Sequence, residues 1–379
     1  MGFLIGYYQT KKGTSWKIPY IDIYKVKVNE TPSMLMSLLL FGLAGKTIII
    51  LSGNYYHVGV TSFVPSFPYS TLGGFSSFLP YFSLMSLFSG LVAYNLYRRS
   101  GLQFWLVVSI LIFIFEVVFE LPSGSKEKVI KPLVFLGIYF SIQNSLPLKT
   151  GLITFFFAVF FVFPFINLYR SGQNLSFTET ADTFLADKAD GFAYDDEDNF
   201  ALARRLNGVG VVASVIDQTP EKFGYRYGTD YLALSYVFIP RFIWTGKPAV
   251  MDHNGFARQY GLIAPTDFRT SVSPYWQGEA YMNFGWFGVI VAFLLGVFMK
   301  KVYLWFFRFG PPTLMLSLMY IGVLYILSRQ SQLPMTLLGM LQVVLVTSFL
   351  LLPFVSRRSL KNRPHQNKVT EGHHSAVSK

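Results

Sequence analysis

The sequence predicts an all-α, polytopic membrane protein with about eight transmembrane helices and one long external loop. Hydrophobic residues make up 52% of the chain and charged residues only 14%, whereas soluble domains carry roughly 25% charged residues. Several apolar runs reach about 18 residues, the length that crosses the hydrocarbon core of a bilayer. A membrane β-barrel requires short segments of alternating polarity instead, so the continuous runs indicate a bundle of helices.

Eight segments are predicted to span the membrane, and the fourth and seventh are short. These two must tilt or extend to cross the bilayer. The opening residues 2–8 look like the tail of a membrane helix whose beginning is missing, which predicts an N-terminally shortened bundle; an interfacial segment is the alternative. The predicted spans are residues 34–51, 78–97, 102–121, 132–145, 151–168, 281–299, 313–327 and 333–353.

The distribution of basic residues predicts the orientation, because cytoplasmic loops carry an excess of Lys and Arg. With the N-terminus inside, the outer segment 53–77 holds no Lys or Arg, 122–131 holds three, and 328–332 holds Arg329 alone. The predicted organisation is a cytoplasmic start (1–31), N-terminal membrane helices (32–168), an external loop (169–280), C-terminal membrane helices (281–355) and a disordered cytoplasmic tail (356–379).

Several classes of chemistry are excluded or disfavoured by what the sequence lacks. The chain contains no cysteine, which excludes disulfides and thiolate chemistry. It has no Walker A sequence, no Gly-Xaa-Ser-Xaa-Gly elbow and no His-Glu-Xaa-Xaa-His zinc motif. The acidic run 195–198 lacks the spaced ligands of a calcium loop, so neither a metal nor another cofactor is expected. The net charge of +12 does not indicate a nucleic-acid partner, since its location decides its meaning.

The basic half of the external loop, residues 204–269, is suited to an anionic substrate. Arg241 lies in the run 240–244, where a proline constrains the backbone and aromatic rings exclude water. A guanidinium is planar and always charged, so it binds phosphate oxygens bidentately. Alternatively, Arg241 snorkels at the interface or pairs with Asp230 or Asp252. The other cations of this predicted anion site, each also typical of a surface charge, are Arg204, Arg205, Arg226, Lys247, Arg258 and Arg269.

Aromatic residues accompany these cations and suit stacking against sugar rings. They equally suit an interfacial aromatic belt at the membrane surface. They are Tyr225, Tyr227, Tyr231, Tyr236, Trp244, Tyr260, Tyr275 and Trp276.

Carboxylates at two places are candidates for chemistry. Glu279 is predicted at the mouth of a helix beginning near Tyr281, where it either stabilises the helix N-terminus or acts as a general base. Asp252 and His253 are weaker candidates for the same role.

Ionisable residues within the predicted spans are functional candidates by default. Glu116 and Glu120 share one face of the third span, and Lys46 lies inside the first. The structural alternative is that Lys126 or Lys128 pairs with the two glutamates.

Several blocks of the chain resemble the oligosaccharide repeat-unit polymerases, the Wzy-type O-antigen and exopolysaccharide polymerases of bacteria. The resemblance covers roughly residues 100–350. The turn 123–126 looks like an earlier loop of that family, in which Arg is more usual than Lys126, and the family usually has more helices. The matching blocks are Arg205-Leu206, Thr219-Pro220, residues 227–231, residues 239–244 with Lys247-Pro248, Thr270-Ser271 and residues 278–288.

This resemblance implies a GT-C-type fold and glycosyl transfer outside the bacterial inner membrane. The growing glycan would move from its undecaprenyl pyrophosphate carrier to the terminal sugar of an incoming lipid-linked unit. Arg205 and Arg241 would stabilise the pyrophosphate, Lys247 would assist, and Glu279 would orient or deprotonate the acceptor hydroxyl. The remaining predicted substrate-binding residues are Arg204, Arg226, Tyr231, Trp244, Tyr281 and Asn283.

The expected partners are the lipid-linked oligosaccharide, the bilayer and a chain-length regulator. Two alternatives stay open. An O-antigen ligase-like enzyme would use similar chemistry, and a non-enzymatic transporter of lipid-linked glycan would carry charges within its spans and broken helices.

Overall fold

In the residues that the computed structural model describes, the protein is almost entirely helical. The exception is an antiparallel pair of two-residue strands, β1 (Lys27–Val28) and β2 (Val355–Ser356). The described residues are 2–9, 27–52, 75–123, 126–143, 156, 208–239, 243–248, 252–268, 272–307, 312–329 and 332–356.

The helices follow one another in two groups. The first group is α1 (Gly2–Gln9), α2 (Pro32–Leu51), α3 (Leu79–Ser83), α4 (Met85–Ser100), α5 (Gln103–Glu120) and α6 (Lys126–Ile142). The second group is α7 (Gly208–Gln218), α8 (Ala233–Tyr236), α9 (His253–Gln259), α10 (Tyr275–Phe284), α11 (Gly288–Phe306), α12 (Leu314–Ser328) and α13 (Leu333–Leu351).

Among the described residues, five helical segments are long and apolar enough to cross a membrane, so the chain is an all-α membrane protein. They match the predicted spans 34–51, 78–97, 102–121, 281–299 and 333–353. The two short predicted spans correspond to α6 and α12, with 17 and 15 residues. The predicted span 151–168 lies outside the described residues apart from Phe156. The five segments are Pro32–Leu51, Phe75–Ser100, Gln103–Glu120, Tyr275–Phe306 and Leu333–Phe354.

The faces of α5 show how sequence spacing positions its charges. Phe104, Val107, Leu111 and Val118 are exposed on one side, as expected for a face in contact with lipid. Ser109, Ile112, Phe113, Glu116 and Glu120 are buried on the other. Residues three or four apart share a helix face, so the pattern directs both glutamates into the bundle.

The centre of the bundle is α12, which is buried along most of its length. Elsewhere in the bundle, helices α2 and α4 approach each other closely. At Gly42 of α2, an added Cβ would lie 2.3 Å from the backbone nitrogen of Ser86 in α4. Small residues permit such contacts between membrane helices, so Gly42 sets how closely α2 and α4 pack.

Helix α1 packs along α11 in the same direction. Gly2 contacts Val289, Gly6 contacts Phe293, and the Lys300 ammonium lies 4.6 Å from the centre of the Tyr7 ring. Residues 2–9 therefore lie beside a membrane helix, and the cytoplasmic location of residues 1–31 stays a prediction.

The two ends of the bundle are built differently. At the clasp end, β1 pairs with β2, and Glu30 bonds Asn95 and Arg99, the latter at 2.7 Å. At the opposite end, which we call the loop end, the end of α2 meets α5, α6 and α12. There α7 also packs on α10. The predicted orientation places the loop end outside.

Candidate functional site

Asn283 ties the segment that holds Gly228 and Asp230 to membrane helix α10. Its side chain is fully buried, and its Oδ1 accepts a hydrogen bond from the Gly228 N–H at 3.0 Å. Its Nδ2 donates to Asp230 Oδ2 and to the carbonyl oxygen of Glu279, both at 2.8 Å. A buried amide is stable when its donors and acceptor are paired. Asn283 was predicted to bind substrate. In the structure, both N–H groups of its side chain donate to protein acceptors.

Arg226 and Asp230 form an ion pair at the edge of this contact. Arg226 Nη1 lies 3.1 Å from Oδ1 and 3.3 Å from Oδ2 of Asp230. The Arg226 backbone N–H donates to the Met282 carbonyl at 2.9 Å. The Arg226 side chain stays 26% exposed, and a guanidinium carries five N–H donors. Arg226 is therefore held in place by its backbone N–H and by Nη1 of its side chain. The exposed part of the guanidinium can donate further hydrogen bonds.

Glu279 lies inside α10 rather than at its mouth, because the helix begins at Tyr275 and not near Tyr281. The side chain is fully buried. Its Oε2 accepts a hydrogen bond from the Leu333 N–H at 2.8 Å. Leu333 is the first residue of α13, so Glu279 stabilises the N-terminus of another helix.

The second carboxylate oxygen of Glu279 is the chemically interesting atom. Glu279 Oε1 is buried and has no hydrogen-bond partner among the residues that the structure describes. Burying a polar group without a partner is costly. A substrate group or a water molecule that donates to Oε1 would remove that cost.

Tyr231 supplies a donor near this acceptor. Its ring stacks on Phe284, with centroids 5.5 Å apart and planes 14° apart. Its hydroxyl is buried and has no partner within the described ranges. Burial raises the pKa of Tyr231, and the nearby carboxylates of Glu279 and Asp230 raise it further. The phenol therefore stays protonated, and its O–H can donate a hydrogen bond.

Lys247 holds the turn that carries Trp244. Its Nζ donates to the carbonyls of Val237 and Ile239 at 2.8 and 2.9 Å. Both carbonyls lie just after the C-terminus of α8, and a positive charge near a helix C-terminus is favourable. Trp244 is 41% exposed and meets the Tyr236 ring edge-on at 5.9 Å. The described contacts give Lys247 a structural role; its part in binding pyrophosphate stays a prediction.

Tyr281 belongs to an aromatic cluster around a helix break. Its ring meets Tyr225 at 6.3 Å and Trp286 at 5.4 Å. Between α10 and α11, Gly285 has a φ of 55°, and an added Cβ there would lie 2.8 Å from the Tyr225 hydroxyl oxygen. Both the backbone conformation and the lack of space require glycine at this break.

The arginines with the most specific predicted roles lie outside the described residues. These are Arg241, Arg205 and Arg204, and their roles stay predictions. The two aspartates considered as partners of Arg241 have other contacts. Asp230 pairs with Arg226, and Asp252 accepts a hydrogen bond from the Asn254 N–H at the start of α9.

The weaker candidates near α9 are largely structural. Arg258 donates to Asn254 at 2.9 Å and lies 4.4 Å from the centre of the Phe268 ring. His253 Nε2 is buried, with no hydrogen-bond partner in the described part of the chain. Within the described ranges, no group of three His, Asp or Glu side chains could hold a metal ion.

A second polar site lies between the membrane helices at the loop end. Lys46 Nζ lies 3.1 Å from Glu116 Oε2 and 3.1 Å from Glu120 Oε1. Lys131 Nζ lies 3.1 Å from the same Glu120 oxygen. All four side chains are buried. The sequence suggested Lys126 or Lys128 as the partners. The described ion pairs join Lys46 and Lys131 to the glutamates, Lys128 also interacts electrostatically with Glu120, and the Lys126 side chain lies outside what the structure describes.

Of these four side chains, Lys46, Glu120 and Lys131 form the inner wall of a cavity of about 220 Å³. At its mouth, Arg329 Nε lies 2.9 Å from Glu127 Oε1. The Tyr325 hydroxyl donates to that same oxygen at 2.7 Å. Lys128 also lines the cavity. We call this space the loop-end cavity; its charged lining residues are Lys46, Lys128, Lys131, Arg329, Glu120 and Glu127.

Sequence reasoning singled out Lys46, Glu116 and Glu120 but missed Lys131, Glu127, Tyr325 and the cavity itself. One available signal was the cluster of three lysines that follows the third span. Another was Arg329, the single basic residue of its outer segment.

Of the comparisons with known proteins, one gives a match, and it covers most of the chain. Its residues 50–357 match the profile of a family described as "Domain of unknown function (DUF8712)". No curated protein and no solved structure matches the chain. The profile covers most of the sequence, and the chain therefore belongs to the DUF8712 family.

Proposed function

We propose that the protein is a membrane glycosyltransferase of the GT-C type. It polymerises undecaprenyl-pyrophosphate-linked oligosaccharide repeat units into O-antigen or exopolysaccharide. The reaction takes place at the outer face of the bacterial inner membrane, without a metal, and a chain-length regulator is a further partner. The resemblance supplies the substrate class, and the geometry around Glu279 supports the chemistry.

The observation that carries the proposal is the pair of buried groups formed by Glu279 and Tyr231. Glu279 Oε1 lacks a donor and the Tyr231 hydroxyl lacks an acceptor among the described residues. A sugar hydroxyl can donate to the first and accept from the second. Glu279 Oε2 is already held by the Leu333 N–H, which orients the carboxylate as a positioned base requires.

In the proposed reaction, the acceptor hydroxyl oxygen attacks the anomeric carbon of the donor sugar. Its proton passes to Glu279 Oε1. The bond between the anomeric carbon and the pyrophosphate oxygen breaks, and the electron pair stays on the departing pyrophosphate. Arg241 and Arg205 stabilise that charge, and Arg226 adds a guanidinium beside the acceptor.

A transporter of lipid-linked glycan is the second candidate, because two observations favour it. Lys46, Glu116, Glu120 and Lys131 place charges inside the bundle, and the helix break at Gly285 interrupts a span. Both features are typical of transporters. Their position at the loop end also suits an enzyme acting at the surface.

The experiment uses the full chain in lipid nanodiscs with purified lipid-linked repeat units. Wild type is expected to produce a ladder of longer glycans. Glu279→Gln preserves an acceptor for the Leu333 N–H but removes the base, so the rate should fall about 100-fold or more. Glu221→Gln, an exposed loop carboxylate, is the matched control and should act like wild type.

Three results would redirect the proposal. Wild-type turnover by Glu279→Gln at normal abundance removes Glu279 from the chemistry. Single transfers to a lipid A core acceptor, without a ladder, indicate a ligase. Movement of unextended units across a sealed vesicle membrane indicates a transporter.

A further inference from the structure

We propose that the exposed apolar residues around the break between α10 and α11 insert into the interface of the lipid bilayer. The partner of this surface is the boundary between lipid headgroups and acyl chains. Insertion does not depend on the proposed glycosyl transfer, and it adds the route by which a lipid ligand reaches Glu279. We call the surface the apolar shelf; its members are Tyr227, Leu232, Phe284, Trp286 and Phe287.

Large apolar side chains are exposed in both segments that meet at this break. Trp286 and Phe287 are each 76% exposed, Tyr227 is 82% exposed and Leu232 is 65% exposed. Burying one side chain of this size contributes roughly 1.5–3 kcal/mol. A single exposed apolar residue needs no explanation, whereas a contiguous patch marks a surface that meets a partner or a membrane.

Ring contacts show that the patch is contiguous. The Tyr227 ring meets the Tyr225 ring with centroids 6.2 Å apart. Tyr225 meets Tyr281 at 6.3 Å, and Tyr281 meets Trp286 at 5.4 Å. A chain of touching rings therefore joins the exposed Tyr227 to the exposed Trp286.

The backbone holds Tyr227 in its exposed position. Tyr227 has a φ of 47°, in the left-handed region that residues other than glycine rarely adopt. The next residue, Gly228, donates its N–H to the buried Asn283 side chain at 3.0 Å. Gly228 also lies against Phe284, since an added Cβ would be 3.3 Å from Cζ of that ring. A strained backbone persists where its surroundings fix it, and such positions cluster at functional surfaces.

The shelf continues the lipid-facing side of α11. Phe287, Ile290 and Leu294 are all exposed, and their spacing of three and four residues places them along one side of the helix. This helix belongs to the segment Tyr275–Phe306, which is long and apolar enough to cross a membrane. An exposed apolar stripe on such a helix contacts acyl chains, so the shelf at its N-terminal end lies where the membrane meets water.

The polar groups beside the shelf suit this depth. Trp and Tyr are enriched at membrane–water interfaces, because their rings are apolar and their N–H or O–H groups stay hydrated. Arg226 adjoins Tyr227 and is 26% exposed, so its guanidinium can donate to lipid phosphates. The end of α7 and the turn after it are different, since there the exposed residues Asp217, Glu221 and Lys222 are charged.

The alternative occupant of the surface is a sugar. Sugar rings would stack on the faces of Tyr227 and Trp286. This leaves the exposed Leu232 unexplained, and also the continuation of the surface along α11 as Ile290 and Leu294. Lipid accounts for the aliphatic and the aromatic members together, and the observations therefore favour the bilayer.

An inserted shelf brings the Glu279 site beside the headgroup layer. The Tyr231 ring stacks on Phe284 of the shelf with centroids 5.5 Å apart, and Glu279 lies five residues before Phe284 in the same helix. A ligand carried by a lipid can therefore reach Tyr231 and Glu279 from the side of the bilayer.

The main test uses single-cysteine variants of the full chain, because the sequence contains no cysteine and a nitroxide label then attaches at one position. The variants are reconstituted in vesicles of phosphatidylcholine and phosphatidylglycerol. Collisions of the label with oxygen, which concentrates in the membrane, are compared with collisions with a water-soluble nickel chelate. Labels at Phe287→Cys and Leu232→Cys should favour oxygen, as should the lipid-facing control Leu294→Cys. The water-exposed control Lys222→Cys should favour the nickel chelate.

A second measurement uses the native protein and one conservative variant. The difference in emission between wild type and Trp286→Phe reports Trp286 alone. Phosphatidylcholine brominated on its acyl chains near the headgroup should quench this difference, because bromine quenches only tryptophans at that depth.

Insertion of the shelf is overturned if the label at Phe287 or at Leu232 favours the nickel chelate, or if brominated lipid leaves the emission of Trp286 unchanged. Protection of a label at Tyr227→Cys by added oligosaccharide, without insertion, would assign the surface to a glycan instead. A normal glycan ladder from a protein whose shelf stays in water would remove the shelf and leave the proposed function. An inserted shelf in a protein that makes no ladder would do the reverse.

Discussion

The Glu279 site and the loop-end cavity handle buried charge in opposite ways. Glu279 is a lone buried carboxylate, held at one oxygen by a backbone N–H and unpartnered at the other among the described residues. At the cavity, carboxylates and ammonium groups contact each other at 3.1 Å.

This difference indicates a division of tasks at the same end of the bundle. A carboxylate with an unpartnered acceptor oxygen can receive a proton, whereas the Glu120 carboxylate at the cavity is already paired with two ammonium groups. The connection between them is short in sequence, because Arg329 lies at the cavity mouth and Leu333 holds Glu279.

The largest expected effect comes from breaking the cavity's ion pairs. Lys46→Met leaves Glu116 without its 3.1 Å partner, and removing one member of a buried pair costs about 3–5 kcal/mol of unfolding free energy. Lys46→Met combined with Glu116→Gln should recover much of that loss. Unfolding titrations in detergent measure both, and equal stability of the single and double variants would contradict the pairing.

The next effect concerns catalysis by the loop. If Arg241 stabilises the departing pyrophosphate, Arg241→Ala should cost about 3–4 kcal/mol in transition-state energy, on the order of a hundredfold or more in rate. Arg241→Lys should stay strongly impaired, because it loses the bidentate fork. Rescue by Lys, or loss of product in proportion to abundance, would indicate a structural arginine.

A smaller effect is expected at the joint between loop and bundle. Asn283→Ala removes the partners of Gly228, Asp230 and the Glu279 carbonyl, which should cost about 1–3 kcal/mol. Hydrogen exchange should increase in residues 226–232 and stay unchanged around Lys46. Uniform exchange across both regions would contradict an independent joint.

The smallest effect separates function from stability most clearly. Tyr231→Phe removes a hydroxyl that has no hydrogen-bond partner in the described ranges, so the unfolding free energy should stay unchanged or rise slightly. Activity should still fall about tenfold, the equivalent of one hydrogen bond to the acceptor sugar. Loss of stability without loss of activity would remove Tyr231 from the site.

The sequence by itself determined the membrane helices, because a run of about 18–20 apolar residues has few stable alternatives in a bilayer. Five predicted spans correspond to long apolar helices. The same reasoning marked Lys46, Glu116 and Glu120, since charges stand out against an apolar background. The spacing of Glu116 and Glu120 also predicted that they share one helix face, and the structure shows that this face is buried.

Tertiary structure alone decided which of these residues meet. Lys46 and Glu120 are 74 positions apart, and Glu279 and Leu333 are 54 apart, so no local pattern could pair them. The start of α10 shows the same limit of local reasoning. Residues 275–280 are polar enough to suggest a loop, yet they form the first part of α10. There α10 packs against α7, and Glu279 accepts a hydrogen bond from the Leu333 N–H. The cavity, likewise, exists only because residues of five helices, α2, α3, α5, α6 and α12, come together.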